Sequence, residues 1–300
     1  MARIICIDTR LFGREQSIAA YLIPYSGGAL LIDPGPGSSL ENIRAALKAE
    51  GLKPENVTHV LLTHIHLDHA GAAGWFARRG AQIIVHPVGA PHMLNPERLL
   101  ASTKRIYGDR MESTWGEFLS VPPDNLKAVL NGEVLDFGEI RINVLHTPGH
   151  AEHHVAFIYE ETCFCGDIGG VRRPGWKYVR LPFVPPETNL EKWRDSLKRL
   201  QAESCRAIAI THFGIFEDAS AHLMMAREFL DEVKQWLESV MPTTADVKTL
   251  QSRYVDWLHE RGRELKLGEA TLTTYDFASP VEMSANGLFR YWHKIRMGEK

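Results

Sequence analysis

Short apolar runs alternate with amphipathic stretches along the first third of the chain. IICID (Ile4 to Asp8), AAYLIPY (Ala19 to Tyr25) and ALLIDPG (Ala29 to Gly35) read as buried strands broken by Gly and Pro. SLENIRAALKAEG has helical spacing and ends on a glycine. VTHVLLTH is a strand again, AGAAGWFARRG a helix closed by Gly80, and AQIIVHP a further strand.

The pattern changes between about residues 88 and 125, where helical spacing replaces strand signals and a Pro-Pro break closes the stretch. This segment reads as a helical insertion. From Lys127 strands resume, with Asn131-Gly132 as a tight turn and two more strands around Glu160 and Glu161. An irregular Pro/Gly/Arg stretch (169–186) precedes a helix from Leu190 to Ala202, the strand CRAIAITH and a long helix through Val240. Strand-rich halves, each followed by helices, point to two sheets covered by helices on their outer faces.

Beyond Met241 the chain is helical. ADVKTLQSRYVDWLHERGREL forms one helix, and another carries a strong start signal, with Ser279 as N-cap, Pro280 at the first helical position and Glu282 as capping partner. Phe289, Tyr291 and Trp292 would expose a large apolar surface unless this tail packs on the main domain.

Composition narrows the function. A hydrophobic fraction of 44% and a charged fraction of 24% suit an ordinary globular protein with a sizeable core. A formal charge of -3 argues against nucleic acid as main partner, and the densest basic cluster, Arg172, Arg173, Lys177 and Arg180, is short and local. No N-terminal segment combines a basic start, an apolar middle and a small-residue cleavage site, and no apolar run is long enough to cross a bilayer, so a cytoplasmic location without membrane contact is expected. Cys6, Cys163, Cys165 and Cys205 form no CxxC pair and are expected to be buried reduced thiols.

The chemistry lies in THIHLDHAG, residues 63–71, just after an apolar strand. His64 and His66 are two apart, so in an extended segment they project to the same side and can share an ion. Asp68 and His69 sit past the turn and reach a neighbouring position. Four ligands in one loop cannot complete two sites. Further partners stand at other strand ends: VLHTPGH ends in His150, CFCGD in Asp167 and IAITH in His212. Metal-capable side chains at four strand ends indicate one shared site at a sheet edge, whereas any one of them alone would be an ordinary capping, core or turn residue. Imidazole with carboxylate suits zinc, and also iron or manganese.

This pattern, HxHxDH followed by His, Asp and His, resembles the metallo-β-lactamase superfamily over roughly residues 4–240. The resemblance implies an α+β fold, a four-layer αββα sandwich, here with the helical insertion at about 88–125 in a catalytic domain of residues 1–240 and a C-terminal helical extension over 241–300. It also implies two divalent metal ions, zinc first, with His64, His66 and His150 holding one, Asp68, His69 and His212 the other, and Asp167 bridging them. Asp33, in LLIDPGPG, matches an early Asp-x-Gly element that supports such ligands from outside; the alternative role is that of a turn aspartate. TPGHAEHH, GDIGGVRRPG and THFG are most similar to a poorly characterised prokaryotic subgroup, which narrows architecture more than substrate.

Two cations bridged by a carboxylate and a hydroxide favour hydrolysis, with Asp68 accepting a proton from the bridging water or orienting it. A small ester, thioester or lactone is the leading substrate class, since no basic track suits a polynucleotide. β-Lactamase-like amide hydrolysis ranks lower, because exported relatives carry a signal that is not seen here. The principal alternative within the superfamily is a mononuclear-iron persulfide dioxygenase using His64, His150 and Asp167. A scaffold without chemistry conflicts with the complete ligand set.

Arg172, Arg173, Lys177 and Tyr178 follow Asp167 and are candidate binders of a substrate carboxylate or phosphate; the alternative is a solvated loop. At most one of His153 and His154 should face the metals, by strand alternation. The insertion around Met111, Trp115 and Phe118 would either roof the pocket or pack on the core. The apolar tail leaves room for a homodimer.

Overall fold

The structure, a computed structural model, describes residues 3–299. Strands β1 (Ile5–Asp8), β2 (Ala19–Tyr25), β3 (Gly28–Ile32), β4 (Val57–Leu61), β5 (Gln82–Val85) and β6 (Leu126–Ala128) form one sheet in that order. The first three pair antiparallel and the rest parallel. Strands β7 (Val134–Asp136), β8 (Arg141–His146), β9 (Val155–Tyr159), β10 (Thr162–Phe164), β11 (Ala207–Ile210) and β12 (Gly214–Phe216) form the second sheet in reverse order, with only β10 and β11 parallel.

The two-residue side-chain period of a strand assigns each apolar residue to a layer. Leu30 and Ile32 of β3 face inward, with Tyr21, Leu61 and Ile84, against Ile142, Val144, Phe157 and Phe164 of the other sheet. Leu31 between them faces outward and meets helices α1 (Leu40–Ala49) and α3 (Ala73–Ala77) through Ile43, Leu47 and Phe76. In β11 the same alternation sends Ala209 inward and Ile208 and Ile210 outward. The outer face of the second sheet is covered by α7 (Leu190–Ala202) and α8 (Ala219–Val240) through Trp193, Leu197, Leu223 and Phe229. The chain is thus an α+β sandwich of helix, sheet, sheet and helix.

Between β5 and β6 lie α4 (Ala90–Leu94), α5 (Glu97–Tyr107) and α6 (Met111–Trp115), in the segment read as an insertion. α5 buries none of its residues. The C-terminal helices α9 (Val247–Glu264), α10 (Glu269–Ala278) and α11 (Val281–Arg290) extend the outer core with Tyr254, Leu258, Tyr275 and Leu288, each contributing roughly 1.5–3 kcal/mol by burial. The sequence pattern does not predict α10, and it misplaces the start of α11: Pro280 occupies the N-cap, and the Ser279 hydroxyl turns inward to Ser284 instead of capping the helix. Of the cysteines, Cys163 and Cys165 are buried as expected, but Cys6 is exposed on the edge strand β1. Among the described residues no helix is long and apolar enough to cross a membrane.

Candidate metal centre

The strand ends converge as the sequence predicts. β4 ends at Leu61, the chain bends at Thr63, and His66, itself extended, precedes the short helix α2 (Leu67–Ala70) carrying Asp68 and His69. His150, Asp167 and His212 follow the ends of β8, β10 and β11. The sheets are stitched together at this edge, where Val155 N–H donates to Thr63 O at 2.7 Å and Ala19 N–H to Thr211 O at 2.8 Å. Two glycines make the convergence sterically possible. Gly149 (φ +142°) places its backbone against Trp193, where a Cβ would come within 2.3 Å of the Trp193 Cα. Gly166 (φ +47°) lets the loop of Asp167 lie on Thr63, where a Cβ would stand 2.5 Å from Oγ1.

Seven side chains form two groups whose donor atoms lie within 4.8 Å of one another: His64, His66, His150 and Asp167 in one, and Asp68, His69 and His212 in the other. In the first, His66 Nδ1 stands 2.9 Å from His64 Nε2 and 3.0 Å from His150 Nε2. In the second, Asp68 Oδ2 is 3.4 Å from His212 Nε2 and 3.6 Å from His69 Nε2. Asp167 faces both: Oδ2 is 3.3 Å from His150 Nε2, and Oδ1 is 3.3 Å from both His69 Nε2 and His212 Nε2.

Hydrogen bonds on the far side of each ring set which nitrogen faces inward. His69 Nδ1–H donates to Asp33 Oδ2 (2.8 Å), His150 Nδ1–H to the Pro182 carbonyl (2.9 Å) and His212 Nδ1–H to the Ser17 carbonyl (3.2 Å). The Thr63 hydroxyl donates to Asp33 Oδ2 (2.6 Å), leaving its lone pairs to accept from His64 Nδ1–H at 3.2 Å. In all four rings this turns Nε2 toward the centre, where it offers a lone pair whenever the ring is neutral. Asp33 is therefore more than a turn residue: it also takes Thr63 N–H (2.8 Å) and Thr211 Oγ1–H (3.2 Å).

These features fit a cation. Facing lone pairs at such distances repel unless a positive charge lies between them. His69 Nε2 and Asp167 Oδ1 are buried without a hydrogen-bond partner, a costly condition that a bound ion would relieve. The imidazole and carboxylate donors match zinc, iron or manganese.

The two groups differ electrostatically. Burial pushes the His150 imidazole down to about 4, offset in part by Asp167, and lowers His66 and, further, His64. In the second group burial also opposes the charged imidazole, but Asp167 and Asp68 prevail and lift His212 to about 9, while Asp68, Asp167 and Asp33 raise His69 well above the ordinary range. Burial would raise both carboxyls, yet neighbouring imidazoles hold Asp68 down to about 2 and Asp167 well below the carboxylate range.

A cavity of about 400 Å³ opens over His66, Asp68, Asp167 and His212. The residues expected to bind substrate do not line it. Arg172 is buried and forks onto Asp218 at 2.7 and 2.9 Å, with its guanidinium over Phe216. Arg173 is buried and donates to the Gln16 and Thr274 carbonyls. Tyr178 packs on Tyr275 in the outer core, and Lys177 is exposed away from the cavity. Proximity in sequence to Asp167 misled because the loop turns Arg172 toward the start of α8, and Arg173 and Tyr178 toward α10.

Both His153 and His154 lie near the centre without belonging to either group: His153 Nε2 is 3.6 Å from Glu187, and His154 Nδ1 bonds Thr147 Oγ1 at 2.8 Å. The insertion plays both roles considered for it. Trp115 walls the cavity, whereas Phe118 packs on the core. Sequence reasoning missed Tyr107, which also lines the cavity, and the Ser17 and Pro182 carbonyls, which carry no side-chain signal.

Comparison with known proteins agrees with this geometry. A family model described as the metallo-beta-lactamase superfamily matches residues 13–212. A metallo-beta-lactamase fold-containing protein from Sulfurisphaera tokodaii is 25% identical over 190 residues, 62% of this chain and 69% of that protein. An atrochrysone carboxyl ACP thioesterase from Aspergillus fumigatus is 27% identical over 206 residues, 68% of this chain and 53% of the thioesterase. A hydroxyacylglutathione hydrolase from Xylella fastidiosa is 34% identical over 146 residues, 49% of this chain and 43% of the hydrolase. The chain thus spans about half the length of these two relatives. Among solved structures, a metallo-beta-lactamase family protein from Thermus thermophilus superposes with a TM-score of 0.68 at 23% identity, covering 97% of this chain and 93% of that one.

Proposed function

The chain belongs to the metallo-beta-lactamase superfamily, and from that premise we propose that it is a binuclear metal-dependent hydrolase of a small ester, thioester or lactone. The observation that carries the reading is Asp167, whose two oxygens face the two ligand groups at 3.3 Å each. His64, His66 and His150 would hold one ion, Asp68, His69 and His212 the other, and Asp167 both. Two divalent ions, zinc before iron or manganese, supply hydroxide at neutral pH and polarise the scissile oxygen when bound.

The chain's own residues do the rest. Asp33, Thr63, Pro182 and Ser17 fix the ligand rings from outside, so the donor atoms need little rearrangement. Asp68 reaches the cavity floor, where Oδ2 can orient a water or accept its proton. The apolar walls exclude bulk water from the reacting bond. Residues 1–240 act as the catalytic unit, with 241–300 as an extension that contributes wall. A completed Asp68, His69 and His212 group favours this reading over a mononuclear-iron dioxygenase. The names of two relatives, a thioesterase and a hydrolase, point the same way.

The test is hydrolysis of acetyl esters, thioesters and lactones by purified protein, before and after chelation and after metal is restored. Turnover lost on chelation and regained on reloading supports the proposal. Thiol-dependent oxygen uptake without hydrolysis would replace it with sulfur oxidation.

A further inference from the structure

The cavity above the ligand cluster is walled by segments far apart in the chain. Phe12 comes from the N-terminal loop, Leu99, Ile106 and Trp115 from the insertion, and Phe277 and Met283 from α10 and α11. Three separate excursions from the sandwich therefore meet at one apolar space.

Its side walls carry almost no free charge. The ionisable acids along it are Asp68 and Asp167 at the floor and Asp276 in the wall, and among the described residues that line it there is no Lys or Arg. Of the cations near it, Arg180 pairs with Asp276 at 2.5 Å, Arg173 donates to backbone carbonyls, Arg14 lies over the Phe277 ring, 4.4 Å from the centroid, and Arg110, close enough to act on Tyr107, stays outside the lining. Away from the floor and Asp276, the polar lining consists of small hydroxyls such as Ser102, Thr103 and Thr114, together with Tyr107.

The mouth is apolar as well. Phe12 is 56% exposed and Ile106 48% exposed, and both border the same opening. A single exposed apolar side chain is ordinary, but a pair from distant segments flanking one cavity over a reactive centre marks a binding surface.

Resting on the hydrolase reading above, we infer that the acyl group served by this centre is an uncharged, largely hydrocarbon chain, and not one ending in a carboxylate or phosphate. An apolar chain gains by leaving water along these walls. An anionic tail of the same length would lose its hydration and find no Lys or Arg along these walls.

The inference is tested with two probes on the metal-loaded protein. The first is kcat/KM for an acetyl, butanoyl and hexanoyl ester series, with a hexanoyl ester bearing a terminal carboxylate as its charged match. The second is binding of non-hydrolysable straight-chain methyl ketones, measured by calorimetry, which reads the cavity without turnover. Each added methylene should raise both quantities about threefold to fourfold, the equivalent of about 0.8 kcal/mol. The terminal carboxylate should cost more than the added methylenes gain. Ile106→Glu, at an exposed position that carries no core packing, should shrink the gain per methylene.

A flat response in both probes, or a preference for the carboxylate-tailed ester, overturns the inference. Chain-length-dependent ketone binding with no ester hydrolysed upholds the apolar site and overturns the hydrolase reading instead.

Discussion

Asp33 Oδ2 accepts a hydrogen bond from His69 Nδ1 at 2.8 Å, and the same oxygen accepts from Thr63 Oγ1, which supports His64 of the other ligand group. One buried carboxylate, on a residue in the left-handed region (φ +47°), thus braces both halves of the centre. Asp33→Asn keeps a residue that tolerates this backbone but weakens the charge on His69. Metal affinity of the Asp68, His69 and His212 group should fall about 10- to 100-fold, with the other group less affected. Equilibrium dialysis against graded chelator reads both affinities, and wild-type affinity at both would contradict the bracing role.

Metal uptake should be linked to protons mainly in one group. With His212 lifted to about 9 and His69 also raised, both hold a proton near neutral pH in the metal-free protein. His64, His66 and His150 are depressed and already offer lone pairs. Filling the second group should release about two protons and strengthen as pH rises toward 9, while filling the first releases few. In the metal-free protein His212 stabilises the fold fully below the ordinary histidine range, and this stabilisation is lost as pH rises through about 9. Titration calorimetry in buffers of different ionisation heat checks the proton count. Equal release for both equivalents would contradict the assignment.

Gly149→Ala tests the contact that places His150. The positive φ and the 2.3 Å approach to Trp193 Cα together should cost about 2 kcal/mol or more. Gly138→Ala, also at positive φ but with open space around its Cβ, should cost about 1 kcal/mol. Urea midpoints of the two variants give the comparison, and equal midpoints would remove the steric argument.

Arg172→Ala should lower stability by roughly 1–3 kcal/mol, because Asp218 and the Phe216 face lose their partner. KM should stay within about twofold of wild type, since the side chain does not reach the cavity. A large KM increase with stability intact would restore Arg172 to substrate binding.

What the sequence made legible is local. Alternation in Leu30, Leu31 and Ile32 gives both the strand and its two packing faces, and HIHLDH brings four donors together within one turn. His150, Asp167 and His212 could be read because each ends a strongly apolar run. Long-range relations were not legible. Tyr178 is held by Tyr275, and Arg173 by Gln16 and Thr274, pairs no local pattern signals. The cavity wall is likewise assembled from Phe12, Ile106 and Phe277, which share no periodicity. β12 is too short, and α10 too weakly amphipathic, for periodicity to reveal them.

The number of metals per chain decides between a two-metal and a one-metal centre. Elemental analysis of freshly purified protein should find about two equivalents of zinc, or of zinc mixed with iron or manganese, per chain, falling to about one in Asp68→Ala together with most of the hydrolytic activity. A single equivalent of iron in the wild type, unchanged by Asp68→Ala, would contradict the two-metal centre.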